Sequence, residues 1–163
     1  MPGKMNFQTV PLTTLVSMGI TAESDPVQPV ILVVDDETVI ADTLSAILTR
    51  SGMTTLTAYN ARSALRIAQN ASVDLLLTDV LMPGMSGIEL AIAVRQILPD
   101  CKIMLFSGQA STIDLLSEAR AAGHEFTALS KPLHPTELLA RISELLSPQS
   151  PQQSGVTAGG FYA

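Results

Sequence analysis

Five polar residues of this 163-residue chain stand at the ends of short apolar runs. Asp35 and Asp36 follow Val30 to Val34, and Asp79 follows Leu75 to Thr78. Ser107 follows Lys102 to Phe106, and Lys131 follows Phe126 to Ser130. Three carboxylates held close together repel and raise one another's pKa unless a cation neutralises them. Hard oxygen ligands with open positions suit Mg²⁺, which retains waters and accepts phosphate oxygens. A carboxylate beside such an ion and a fixed ammonium can attack phosphorus, giving an aspartyl phosphate. Lys131 and the Ser107 hydroxyl would then stabilise charge on the equatorial oxygens of the transferred group. Taken singly, each residue has a plainer explanation: a solvated turn or helix cap for Asp35-Asp36, a turn residue for Asp79, a surface lysine, a Ser-Gly loop. Jointly they weaken those explanations, provided that all five reach one edge of one sheet. No Gly-rich P-loop or GxGxxG opens the first helix, so nucleotide cradling lacks support.

The surrounding pattern supplies such a sheet. Five runs suit buried strands: Val30 to Val34, Thr54 to Ala58, Leu75 to Thr78, Lys102 to Phe106 and Phe126 to Ser130. Apolar runs without alternation are what parallel strands covered on both faces show. Each run is followed by a helical pattern. Ile40, Leu44, Ile47 and Leu48 fall on one helix face, as do Leu90, Val94, Ile97 and Leu98, and Leu138, Ile142, Leu145 and Leu146. The stretches Ala61 to Asn70 and Ser111 to Ala122 are weaker helices on pattern alone. Ser86 to Glu89 has capping-box spacing, with Met85 and Leu90 placed as a hydrophobic staple. Gly52 and Gly123 stand where helices should end, and Pro135 suits a first helical turn. Five strands alternating with five helices predict a doubly wound α/β fold with a parallel sheet and right-handed crossovers. In such sheets the working residues lie at the carboxyl ends of the strands, where these five fall.

Composition bounds the rest. The chain is 47% apolar and 15% charged, which excludes wholesale disorder. A net charge of −6 argues against a dedicated nucleic-acid domain. The single cysteine, Cys101, allows neither a disulfide framework nor a Cys-based zinc site, and it reads as a small packed residue. No run of 18 apolar residues spans a membrane. Residues 1–29 end in the breaker cluster Asp25-Pro26-Val27-Gln28-Pro29 and read as a flexible extension, with Met5 and Met18 as alternative starts. A secretory signal is disfavoured there: only Lys4 is basic, and Thr13, Thr14 and Ser17 interrupt the apolar stretch. Residues 148–163, uncharged and rich in Pro, Gln, Ser and Gly, read as a disordered tail. The folded unit is therefore expected over 30–147, in the cytoplasm. His124 and His134 lie outside any ligand spacing, and His134 fits near the cap of the last helix. The methionines form no single stripe and read as core filling.

Four segments carry a resemblance. Val33-Val34-Asp35-Asp36-Glu37, Thr78 to Gly87 (TDVLMPGMSG), Phe106-Ser107-Gly108 and Ser130-Lys131-Pro132 resemble, in order and spacing, the receiver domain of two-component response regulators. The resemblance covers 30–147 and implies a flavodoxin-like strand order 2-1-3-4-5. It implies that Asp79 accepts phosphate from a phosphohistidine on a sensor histidine kinase or histidine phosphotransfer protein. It implies that Asp36 ligates Mg²⁺ directly, Asp35 through water, with Asp79 and the Leu81 main-chain carbonyl completing the set. Ser107 would bond the phosphoryl group, Lys131 would pair with it, and Pro132 would be cis. The output would be a shift of the face made by helix four, strand five and helix five.

One departure stands out. The family often carries an aromatic residue three positions before the lysine, where this chain has Ala128. The stretch from Gly123 to Lys131 reads one residue long, and the direction of Phe126 is not fixed by pattern. Leu81 and Gln109, each two positions past a site residue, occupy places that the resemblance implies tune phosphate loss. Apolar Leu81 cannot orient an attacking water, which predicts slow self-dephosphorylation. Three functions stand against one another. The first is a stand-alone phosphoacceptor, not a turnover enzyme, that signals by contact with a downstream target protein or by phosphorelay. The second is a receiver-like interaction module that is never phosphorylated. The third is a Mg²⁺-dependent phosphatase, disfavoured because Leu81 cannot serve as its second acid. The residues after 147 are too few for an output domain, so no direct nucleic-acid or membrane contact is expected. Dimerisation through the fourth helix and fifth strand is left open.

Overall fold

The computed structural model describes residues 27–108 and 112–148. The two terminal stretches and residues 109–111, with Gln109 and Ser111 among them, lie outside these ranges. Five strands alternate with five helices: β1 (Val30–Val34), α1 (Thr38–Arg50), β2 (Thr54–Ala58), α2 (Ala61–Asn70), β3 (Leu75–Asp79), α3 (Gly87–Ile97), β4 (Lys102–Ser107), α4 (Thr112–Ala121), β5 (Thr127–Ser130) and α5 (Pro135–Leu146). All pairings are parallel and the order is β2-β1-β3-β4-β5. The predicted doubly wound α/β architecture is therefore the one observed.

The continuous apolar runs divide residue by residue between two cores. Ile31, Val33, Leu75, Leu77, Met104 and Phe106 pack with Leu44 and Leu48 of α1 and Leu138 and Ile142 of α5. Their neighbours Leu32, Val34, Leu76, Ile103 and Leu105 pack on the opposite face with α2, α3 and Ala119 of α4. The period of two is hidden in the sequence because both sets are apolar. The edge strand β2 is the exception. Its Thr57 and Thr55 hydroxyls bond Ser45 and Thr49 of α1 at 2.7 and 2.9 Å.

Helix ends follow local chemistry. Asn60 caps α2 by accepting the Ser63 N–H at 2.8 Å. The Ser86–Glu89 capping box is complete: Ser86 Oγ accepts the Glu89 N–H, and the Glu89 carboxylate accepts the Ser86 N–H at 2.8 Å. Those Ser86 donors hold the Glu89 pKa below its ordinary value. The staple spacing is not matched by burial, since Leu90 is fully buried and Met85 is exposed. Gly52 and Gly123 sit beyond α1 and α4 at φ +86° and +88°, the left-handed region that stops a helix. His134 is the N-cap of α5 but its side chain makes no cap bond, and Pro135 opens the helix.

Three strand limits differ from the pattern. β3 runs on to Asp79 and β4 to Ser107, each still paired with its neighbour, whereas β5 begins at Thr127 and not at Phe126. Pairing is a property of the backbone, so a polar residue can continue a ladder and an apolar one can precede it. Phe126 instead lies under the Arg95 guanidinium, 4.8 Å from the ring centroid, and Arg95 also donates to the Glu125 carbonyl at 3.1 Å.

Candidate functional site

The carboxyl ends of β1, β3, β4 and β5 meet along one edge. β1 delivers Asp35 and Asp36. The Asp35 N–H extends the β1–β2 ladder to the Ala58 carbonyl at 3.3 Å. Its carboxylate accepts the Glu37 N–H at 2.8 Å, which turns the chain into α1 with Glu37 as N-cap. Asp35 is wholly buried and Asp36 is exposed. Asp79 ends β3 at 7% exposure. One carboxylate oxygen from each of Asp35, Asp36 and Asp79 lies within 4.8 Å of the others, forming the acidic cluster of the described residues.

Lys131 enters from the far side of the sheet. Its N–H donates to the Ser107 carbonyl at 2.9 Å, which aligns the end of β5 with that of β4. The side chain lies 3.4 Å from an Asp35 oxygen and 3.6 Å from an Asp79 oxygen, with its ammonium 4.9 Å from the Phe106 ring centroid. The Lys131–Pro132 peptide is cis. One ammonium thus faces three carboxyls, which leaves the pocket short of positive charge. Burial pushes the Asp79 carboxyl above its ordinary pKa. Lys131 and the Val80 N–H oppose that shift, while Asp35 and Asp36 add to it.

Ser107 is placed at the same edge, opposite Ser130 in the β4–β5 register. Its hydroxyl bonds the Thr112 hydroxyl at the start of α4. Nothing in the sequence pattern singled out Thr112, which is 4% exposed. A Ser-to-Thr spacing of five has no periodicity to betray it. Leu81 follows β3 in the turn that the Gly87 N–H closes onto the Val80 carbonyl at 2.9 Å. Gly87 has a role that spacing alone could not reveal. A Cβ there would stand 1.9 Å from the Asp79 carbonyl oxygen, so α3 can start against β3 only with glycine.

Other candidates fall away from this edge. His124 stacks near Phe126, with centroids 6.2 Å apart, where β5 begins. Cys101 is buried, and its thiol pKa is pushed up to about 11 by desolvation. Ala128 is exposed, and beside it a cavity of 240 Å³ is lined by Val80, Ser107, Thr112, Leu116 and Lys131 among others. Among the described residues no helix is long and apolar enough to cross a membrane.

Fold and site together define a doubly wound parallel α/β domain with an acidic, lysine-closed pocket at the carboxyl ends of its strands. Residues 31–143 match the family model of the response regulator receiver domain. The chain is 37% identical over 112 residues to the transcriptional regulatory protein YrkP of Bacillus subtilis (strain 168), covering 69% of this chain and 47% of that one. It is 35% identical over 116 residues to the response regulator receiver protein CpdR of Brucella abortus (strain 2308), covering 71% of this chain and 95% of CpdR. A CheY-like receiver domain from Methanospirillum hungatei JF-1 superposes with a TM-score of 0.67 at 32% identity, covering 73% of this chain and 94% of that one. The chain belongs to the response regulator receiver family. It spans about half the length of YrkP and of YvrH, a second Bacillus subtilis regulator, at 47% and 46%.

Proposed function

We propose that this chain is a phosphoacceptor that takes a phosphoryl group onto Asp79 from a phosphohistidine on a sensor histidine kinase or histidine phosphotransfer protein. An Asp79 carboxylate oxygen forms the new P–O bond as the P–N bond breaks. The electron pair of that bond stays on the imidazole nitrogen, which takes a proton from solvent. Lys131 holds its ammonium against Asp35 and Asp79, where it can meet the incoming phosphoryl oxygens. Ser107 offers a hydroxyl to the same group from the neighbouring strand.

The observation that carries this assignment is the placement of Lys131 within reach of both Asp35 and Asp79, beside the three clustered carboxylates. The donor set fits Mg²⁺: hard oxygens only, carboxylates in excess of the one lysine, and an open side at Asp36. Asp35, Asp36 and Asp79 would hold the ion, with the Leu81 carbonyl. Once bound, it offsets the repulsion between carboxylate and phosphoryl oxygens.

Residues 30–147 constitute the receiver unit in this proposal, acting in the cytoplasm and without turnover of an external substrate. The signal leaves by contact with a target protein or by onward transfer. The 95% coverage of CpdR supports action of the receiver unit by itself, since a relative of that extent carries the receiver and little else. Incubation with Mg²⁺ and a small acyl or amido phosphate donor tests the chemistry. We expect an adduct labile to alkali and hydroxylamine that Asp79→Ala abolishes. No adduct, or one that survives the substitution, removes the assignment.

A further inference from the structure

The hydroxyl pair Ser107–Thr112 connects the pocket to α4, and it rests on observations separate from the carboxylate cluster. Thr112 opens α4 and is 4% exposed, and among the described residues its hydroxyl has Ser107 as side-chain partner. Val80, Leu105, Ile113 and Leu116 border the cavity beside the pair on the side of Thr112, and Ser130 and Lys131 line it toward the pocket. That cavity of 240 Å³ lies against Thr112, Ile113 and Leu116, so the first turn of α4 has room to move.

We propose that Thr112 is a positioning residue that couples occupancy of Asp79 to helix α4 by hydrogen-bond exchange. The proposal rests on the phosphoacceptor assignment above. In the free protein the Thr112 hydroxyl is bonded to that of Ser107. When a phosphoryl group on Asp79 takes the Ser107 hydroxyl, the Thr112 hydroxyl is left buried among apolar side chains. A buried hydroxyl without a partner is unfavourable, so the first turn of α4 shifts until Thr112 finds water or another acceptor. Ala128 places no ring in this cavity, and the exchanged hydrogen bond itself carries the signal. Conversely, Thr112 competes with the phosphoryl group for Ser107 and holds the protein in its unmodified form.

Beryllofluoride with Mg²⁺, a non-covalent mimic of the phosphoryl group, provides the test on the full chain. Binding is followed by titration calorimetry, and amide hydrogen exchange is followed across 112–121. In the wild-type protein we expect beryllofluoride to lower protection at the start of α4. Thr112→Val keeps the shape and removes the hydroxyl. It should bind beryllofluoride about three- to tenfold more tightly, the worth of one competing hydrogen bond, with no change in α4 protection on binding. Thr112→Ser should restore both wild-type behaviours, which a loss of packing would not. Wild-type affinity and a wild-type α4 response in Thr112→Val overturn the coupling alone. Failure of the wild-type protein to bind beryllofluoride or to form the Asp79 adduct overturns the phosphoacceptor assignment and the coupling with it.

Discussion

Asp79 sets the terms at the scale of a single residue. Its folded pKa lies above the ordinary value, first through burial, with Lys131 opposing and Asp35 and Asp36 adding. A carboxyl so shifted favours the fold when protonated. Its stabilising contribution is complete below the ordinary pKa and is lost as pH rises through the folded value, so the ionised group costs stability at neutral pH. Asp79→Asn removes that cost. In the absence of divalent ions we expect its thermal midpoint to exceed that of the wild-type protein at pH 7, with the gap closing in acid toward the ordinary value of 3.8. A gap that stays constant across that range would show that the substitution acts by other means. Leu81 carries a second expectation. Lacking a polar group to orient water, it should let the acyl phosphate persist well beyond seconds, and Leu81→Asn should shorten that lifetime in a purified-protein decay assay.

At the scale of the element, α3 is seated against β3 by contact and by capping. Gly87→Ala forces a Cβ against the Asp79 backbone, and overpacking of that kind costs about 1–3 kcal/mol. Urea unfolding should show that loss together with weakened adduct formation, because the strain falls on the carbonyl of the acceptor itself. Ser86→Ala should cost about 1 kcal/mol through the cap and leave the acceptor in place. The elements were legible in the sequence to different depths. β1, β2 and α2 match their expected spans end to end, since apolar runs and the Ala61–Asn70 stretch stop where the structure stops them. α2 looked weak because its inward face is Ala61, Ala64 and Ala68, which lets the helix approach closely but registers little hydropathy. Asp79 and Ser107 extended their strands past the apolar signal because pairing needs only backbone. The acidic cluster, Lys131 and Ser107 were legible from their positions after strands. Thr112 and the tight seat of Gly87 were not, because both depend on what a neighbouring segment brings close.

At the scale of the molecule, the acidic edge and the surface around it act as one unit. Mg²⁺ bound only by the folded form should raise the thermal midpoint, by ~2.7 kcal/mol of stability at a hundredfold excess over Kd. Asp36→Ala should remove most of that gain while leaving the ion-free midpoint close to wild type, since Asp36 is exposed. On the proposed function, a protein donor must also reach this edge. Exposed Val39, with Ile40, Ile47, Pro132 and Leu133, forms an apolar cleft of 270 Å³ that adjoins Lys131. Val39→Lys should slow transfer from a phosphohistidine protein about tenfold, equivalent to ~1.4 kcal/mol at the encounter. Transfer from a small donor should be unchanged, and equal slowing of both would place the effect inside the pocket.

The pairing of Lys131 with Asp35 joins residues 96 positions apart in the chain. During synthesis the carboxylates therefore leave the ribosome long before the ammonium that closes their pocket. On the proposed function, a nascent chain carries the whole acidic cluster but lacks the ammonium that meets the phosphoryl oxygens until β5 has docked. The complete charge constellation is thus a certificate of completed folding, and a fragment that ends before residue 131 cannot counterfeit it.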